Sequence, residues 1–131
     1  MHVLRIFPII CWIALPTVMY GGYALLGLLS RDSLNESQRT YFRANHAHAG
    51  VLLLMALLYA NYMGLTTLSP ALQMGAATVF GVGILAQSGG FFLHLAHGKP
   101  GGSLLGTRIT SVGALLLAAA VLVLAYGLIT S

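Results

Sequence analysis

The segment Leu105–Ile129, LGTRITSVGALLLAAAVLVLAYGLI, is apolar almost throughout and has a single charged residue, Arg108, near its beginning. About 20 consecutive apolar residues in a helix are enough to span the roughly 30 Å hydrocarbon core of a bilayer. The segment exceeds that length and contains no proline to interrupt it. We therefore predict that it crosses a membrane, and this prediction sets the class of the whole chain.

Three further segments have the same character: Arg5–Leu29, His46–Gly64 and Pro70–His97. The chain is 58% hydrophobic and 6% charged, with a mean hydropathy of +0.89. The four segments use most of the 131 residues, so no room remains for a soluble domain. The sequence predicts an all-α, polytopic membrane protein in which residues 1–131 form one domain of four transmembrane helices. Short connections favour an antiparallel bundle.

The basic residues are distributed unevenly between the connections. Five of the six lie in or beside the first and third connections: Arg31, Arg39, Arg43, Lys99 and Arg108. Because basic connections stay in the cytoplasm, this distribution predicts that both termini lie outside, in a multi-pass protein of the bacterial inner membrane. The lipid bilayer is then the first partner. The net charge of +4 is explained as an orientation signal, so no nucleic acid partner is expected.

Local signals mark several helix ends. The sequence Ser33-Leu34-Asn35-Glu36 has the capping-box pattern, which predicts that the second helix begins near Leu34 and enters the membrane near His46. Serine followed by proline at Ser69-Pro70 is typical of a helix start. The glycine-rich run GKPGG, residues 98–102, is typical of a helix stop and turn.

Four of the five histidines fall in two short pairs, His46 with His48 and His94 with His97. In the predicted topology both pairs lie at the cytoplasmic ends of neighbouring helices. Packed helices have axes about 8–10 Å apart, so imidazoles from two helices can meet between them. Imidazole binds zinc, copper, iron and nickel, and it is a standard axial ligand of haem iron. We therefore predict a site in which His48 and His94 approach each other, with His46 or His97 as the next ligand.

Helical periodicity favours His48 over His46 as the inward-facing residue. His48 continues into Met55, Tyr59 and Tyr62, an amphipathic stripe that we interpret as facing the bundle. Arg43 and Arg108 are predicted beside the site, where they would suit the propionates of a haem. Two histidine ligands would fit haem b, and three would fit a transition-metal ion. Asp and Glu are absent from the four segments, which argues against a carboxylate-bridged metal centre.

His94 continues a face of the third helix that is formed by Gly83, Gln87 and Gly90. Small residues at this spacing allow helices to pack closely in membranes, and packing is the alternative to a ligand role for this face and the favoured explanation for Gly83 and Gln87. A second small face is formed on the fourth helix by Gly106, Thr110 and Gly113. A four-helix bundle has a limited interior. Two such faces therefore predict contact with another chain, in a homo-oligomer or a larger membrane complex.

Two resemblances can be stated on these motifs. The run YFRANHAHAGVL, residues 41–52, with Gly89–Phe92 and Gly113-Ala114, resembles small uncharacterised bacterial four-helix membrane proteins with an FRA-x-HAHAG motif. Arg43-Ala44-Asn45 followed by His48 more weakly resembles the signature of the MAPEG family, as do Gly106-Thr107 and Thr110 in the last segment. The MAPEG resemblance implies a trimeric, glutathione-dependent membrane transferase.

Three functions therefore remain open from the sequence. The first is a haem- or metal-binding membrane protein with its site near the cytoplasmic side, such as an accessory subunit of a respiratory or other redox complex. The second is a structural subunit of a membrane complex with no cofactor. The third is a MAPEG-like glutathione-dependent transferase, and the sequence does not decide whether the protein is an enzyme.

Overall fold

The computed structural model describes residues 3–131, with side chains described from residue 5 onward. The chain is all-α and forms four helices: α1 (Val3–Ser30), α2 (Glu36–Met63), α3 (Pro70–His97) and α4 (Leu104–Ile129). The four predicted helices are confirmed, and their ends agree closely with the predicted segments. The second helix extends further toward the N-terminus than its predicted membrane span, as its polar first turns led us to expect.

Three of the four described helices, α1, α3 and α4, are long and apolar enough to cross a membrane. The prediction of four spans is thus confirmed by length and composition for three. The exception, α2, is the helix that carries the polar residues His46, His48 and Asn61 in its predicted span and Asn45 directly before it. These side chains lower its hydropathy, and they are also the residues from which a functional site would be built.

The start of α2 corrects one prediction about its cap. Asn35 is the cap: its side-chain oxygen accepts from the Gln38 N–H at 2.9 Å, and the Gln38 side-chain oxygen accepts from the Asn35 N–H at 3.1 Å. The prediction that the box starts at Ser33 was wrong. The Ser33 hydroxyl instead donates to the Leu28 carbonyl at 3.1 Å, near the end of α1. Asn35 and Gln38 satisfy each other's backbone amide, as a capping box requires.

The other predicted helix ends are confirmed. Ser69 caps α3 by accepting from the Leu72 N–H, and Pro70 occupies the first turn. Gly98 ends α3 in the left-handed conformation, with φ at +66°. Ser103, for which no cap was predicted, caps α4 by accepting from the Gly106 N–H at 3.3 Å. Local chemistry therefore determines where these helices begin and end.

The small faces of α3 and α4 pack against each other. A Cβ atom added to Gly90 would lie 2.7 Å from the Gly106 carbonyl oxygen, and one added to Gly113 would lie 2.6 Å from the Gln87 nitrogen. Contacts this close need glycine at both levels. Packing was the alternative explanation for the Gly83 and Gly90 face, and it is confirmed. Both faces are used within one chain, so they no longer supply a reason to expect a second chain.

All four helices contribute to the core, and α2 and α3 supply most of its buried residues. Phe80 and Met63 are fully buried, and the Tyr59 hydroxyl donates to the Ala120 carbonyl at 3.0 Å. Tyr59 is thus on the inner face of α2, as predicted. Met55 and Tyr62 are exposed, so the predicted stripe was wrong at both positions. The buried face instead follows Leu52, Ala56, Tyr59 and Met63.

Candidate functional site

His94 is the most buried of the described histidines, with 8% of its surface exposed. Its Nδ1 accepts from the backbone N–H of Ser103 at 2.9 Å, at the cap of α4. The Tyr41 ring of α2 stacks on the imidazole, with centroids 4.9 Å apart and planes 12° from parallel. One imidazole of α3 therefore contacts α2 and the start of α4. The periodicity of α3 predicted that His94 would be internal, and this is confirmed.

Two glycines enclose the His94 ring. Gly102 has φ at +68°, and a Cβ atom there would collide with Nδ1 and lie 2.7 Å from the Tyr41 hydroxyl. A Cβ atom at Gly106 would lie 3.1 Å from Nε2. Both positions need glycine because backbone, not side chain, lies against the ring. The turn between α3 and α4 therefore fits around the imidazole.

The Ser103 hydrogen bond fixes the chemistry that His94 can do. A neutral imidazole that accepts at Nδ1 has its proton on Nε2. A metal ligand needs a free lone pair on the coordinating nitrogen, and its other nitrogen normally donates a hydrogen bond. In this geometry neither nitrogen of His94 offers that lone pair. His94 thus joins helices, and its predicted role as a ligand requires the bond to Ser103 to break.

His48 lies on the outside of α2 and is exposed, so the prediction that it faces into the bundle was wrong. Its ring is tilted against the Phe91 ring of α3, with centroids 5.3 Å apart. Phe91 also lies edge-on to His94, with centroids 6.4 Å apart. The two histidines predicted to approach each other are therefore neighbours of the same aromatic ring. No hydrogen bond from the His48 imidazole is found within residues 3–131.

The remaining predicted site residues lie elsewhere. His46 packs against α1, where a Cβ atom added to Gly22 would lie 2.8 Å from its Nε2. His97 is exposed at the end of α3, and Arg43 and Arg108 are exposed on α2 and α4. His46 and His94 therefore contact different helices. In the described part of the chain, no three His, Cys, Asp or Glu side chains are grouped to hold a metal ion.

Asn45 is a site residue that the sequence did not single out. Only 9% of its surface is exposed, and its side-chain oxygen is buried with no hydrogen-bond partner in the described structure. It borders a cavity of about 310 Å³ where α1, α2 and α3 meet. Asn45 directly precedes His46 in the sequence, and its own polar side chain was the available signal.

Gln73 holds the connection between α2 and α3. Its side-chain nitrogen donates to the carbonyl oxygens of Thr66 at 3.2 Å and Leu68 at 3.1 Å. From the sequence, Gln73 lies far from the histidines and is expected to be replaceable without loss of a cofactor. The structure gives it a structural role, so its replacement would disturb the connection and make it a poor control.

Comparison with protein-family models, curated proteins and solved structures finds no match to this chain. The two motif resemblances therefore stay predictions. What the protein does must be inferred from the geometry of its own residues, above all the exposed His48 and the buried His94.

Proposed function

We propose that this chain is a multi-pass membrane protein that binds haem, or a transition-metal ion, through His48. In this proposal the four helices form an antiparallel bundle across the membrane. The order of contacts supports that arrangement, because Gly83 of α3 lies near Leu117 of α4, whereas Gly90 lies near Gly106. Moving forward along α3 thus means moving backward along α4. The apolar character of α1, α3 and α4 supports the membrane location.

The observation that carries the proposal is the exposed imidazole of His48. At about 1.5 Å per residue, His48 lies about 24 Å along the helix axis from Gly64. If Gly64 marks the far membrane surface, His48 falls within the roughly 30 Å hydrocarbon core. An ionisable side chain facing lipid is expensive and is a functional-site hypothesis by default. A bound iron or another metal would satisfy the imidazole nitrogen that lipid cannot.

The surroundings of His48 favour haem over a bare ion. Haem iron takes one or two axial ligands from the protein, so a single histidine is enough. Val51 and Met55 follow His48 on the same face of α2 and are exposed, which provides an apolar surface for a flat ring. Arg43 is exposed five residues before His48, on a different face of α2, and Arg108 is exposed on α4, so their role with the propionates stays a prediction. Haem bound to this outer face would support electron transfer or ligand chemistry.

A ligand on the outer face of α2 also gives a new reason to expect assembly. One side of the ring would contact α2, and the other would be left to lipid. A second copy of this chain, or a larger redox complex in the membrane, would cover that side. We therefore propose that the protein works as a homo-oligomer or as an accessory subunit, although the small faces of α3 and α4 are already occupied.

Titration of the purified protein with hemin tests the proposal. We expect a Soret band that saturates at one haem per chain and shifts from the position of free hemin. Metal analysis of the protein as isolated would detect an ion instead. A protein that gives neither signal would contradict the proposal. Binding of glutathione by such a protein would favour the MAPEG-like transferase.

A structural subunit without a cofactor is the second candidate, and the geometry of His94 favours it. The most buried histidine is used to join α2, α3 and α4 through Tyr41 and Ser103. The same use of polar groups for packing would extend to His48 if a neighbouring subunit supplied its hydrogen-bond partner. A colourless, metal-free protein that co-purifies with a membrane complex would support this candidate.

The proposed orientation predicts which positions an impermeant thiol reagent can reach in intact cells. Cysteines at Ser37 and Pro100 should be protected, because the first turn of α2 and the connection between α3 and α4 are both placed in the cytoplasm. Pro100 is preferable to Gly101, whose φ of +83° disfavours any side chain. A cysteine at Thr67, in the outer connection, should be labelled. Labelling of Ser37→Cys and Pro100→Cys but not Thr67→Cys would contradict the proposed orientation and indicate the opposite one. The native Cys11 is buried and should contribute little background.

A further inference from the structure

A cavity separate from the outer face of α2 lies where α1, α2 and α3 meet. Its volume is about 310 Å³, at the lower end of the range for small-molecule sites. Most of its wall is apolar, with Val18 from α1, Phe42 from α2, and Phe92 and Leu95 from α3. The cavity therefore has the size for a single ring with a short chain and is too small for haem. It also differs from the proposed haem site in position, because His48 does not line it.

Asn45 supplies the main polar feature of this cavity. The side chain is more than nine-tenths buried, and its Oδ1 has no hydrogen-bond partner among the described residues. Leaving a buried acceptor unsatisfied costs about 1–3 kcal/mol. Thr17 also lines the cavity, but its hydroxyl already donates to the Ala14 carbonyl at 2.6 Å. The buried group of Asn45 that lacks a partner is thus an acceptor, and a ligand with a donor would satisfy it once the amide turns toward the cavity.

His46 forms the wall beside Asn45. Its imidazole is half-buried and fits against Gly21 and Gly22 of α1, where a side chain on Gly22 would displace it. The glycine pair therefore keeps His46 at the cavity. An imidazole next to the Asn45 amide can accept or donate a second hydrogen bond. A hydroxyl group can form both contacts, since it is a donor and an acceptor at once.

We propose that this cavity binds an apolar alcohol or phenol, whose hydroxyl donates to Asn45 Oδ1 and whose hydrocarbon part packs between Phe42 and Phe92. The proposal does not depend on haem binding at His48. A lipid-soluble molecule can reach the cavity from the bilayer, because α1 forms one wall and faces lipid along most of its length. The binding site thus lies between α1 and the rest of the bundle.

Matched probes test the donor requirement. We propose 4-pentylphenol and its methyl ether, 4-pentylanisole, which differ in the hydroxyl hydrogen but share the ring and chain. With the protein in lipid nanodiscs, isothermal titration should give a dissociation constant about ten-fold lower for the phenol than for the ether. Equal affinity for the two probes would overturn the proposal, because it would mean that Asn45 makes no bond to the ligand.

Selective ¹⁵N labelling of asparagine locates the bound probe. The chain has three asparagines, Asn35, Asn45 and Asn61. Asn61 lines a different cavity and serves as an internal control. The phenol should shift the side-chain resonances of Asn45 and leave those of Asn61 in place. A shift confined to Asn61 would place the probe elsewhere and contradict the proposal.

Two variants test separately how the hydrogen bond and the cavity volume contribute to binding. Asn45→Leu should weaken phenol binding by about ten-fold and change ether binding much less, since it removes the acceptor and keeps a side chain branched at the same atom. Ala49→Leu should weaken both probes because its larger side chain fills the cavity. Ala118→Leu, on the exposed face of α4, is the matched control and should change neither. If Asn45→Leu does not fold, Ala49→Leu and the comparison of the two probes still test whether the cavity binds the phenol. Unchanged phenol binding by Ala49→Leu would overturn the proposal.

Discussion

His48→Ala is expected to abolish the Soret band that added hemin gives with the wild-type protein. The imidazole would supply the iron–nitrogen bond, and its neighbours on α2 would supply only apolar contact. Loss of a residue that merely supports a metal ligand costs about 10–100-fold in affinity. Removal of the ligand itself should therefore weaken hemin binding by more than about 100-fold. Absorbance titration of the two proteins at equal concentration measures this difference.

Two further histidine variants serve as controls for His48→Ala. His97→Ala should keep the band, because His97 is the last residue of α3 and does not lie on the outer face of α2 where the haem is proposed to bind. His94→Ala should keep the band but lower the melting temperature, since it removes the acceptor of the Ser103 N–H and the ring that stacks on Tyr41. Free imidazole added to His48→Ala should restore part of the band. A band that survives in His48→Ala and disappears in His94→Ala would assign the ligand to His94.

The helices could be predicted because their determinants are local. The long apolar segments predict the number of helices. The pairs Ser69-Pro70 and His97-Gly98 mark the two ends of α3, because the capping hydrogen bonds at each end join residues only a few positions apart. The start of α2 was harder, because both Ser33 and Asn35 can cap a helix. The choice depends on which hydroxyl or amide is already bonded. Ser33 is bonded to the end of α1, and a sequence pattern does not contain that contact.

The inner face of α2 could be predicted only in part. Tyr59 was placed correctly, but His48, Met55 and Tyr62 were not, because the rotation of the helix is set by what it packs against. Ala56 and Met63 fit completely against the neighbouring helices, so Met55 and Tyr62 turn outward. Small residues such as Ala56 have little influence on a hydrophobicity pattern. They nevertheless decide how closely two helices approach, and hence which larger side chains fit between them.

The candidate site shows the same division between local and distant causes. The internal position of His94 follows from its spacing to Gly83, Gln87 and Gly90 on one helix face. Its partner, the Ser103 amide, comes from beyond the turn and is brought there by the positive φ angles of Gly101 and Gly102. That hydrogen bond decides whether the His94 imidazole can bind a metal or instead holds the helices together. Residue types alone carry no information about it.

Gly90→Ala is expected to destabilise the protein by about 2 kcal/mol, within the range for overpacked cores. The added Cβ would lie 2.7 Å from the Gly106 carbonyl oxygen and 2.8 Å from the Thr110 nitrogen. Both are backbone atoms, so the helices must separate to make room. Gly89→Ala is the matched control, because a Cβ there meets nothing within 4 Å. It should stabilise α3 by about 0.5–1 kcal/mol, since alanine loses less backbone entropy than glycine.

The single cysteine provides a readout for this pair of variants. Cys11 belongs to the core and should become reactive to a thiol dye only when the bundle opens. In a thermal ramp in mild detergent, dye reaction should begin at a lower temperature for Gly90→Ala than for wild type, and at an equal or higher one for Gly89→Ala. Identical curves for the two variants would mean that α3 and α4 are not in close backbone contact. Because the same methyl group is added at adjacent positions, only the difference in what faces it can separate the curves.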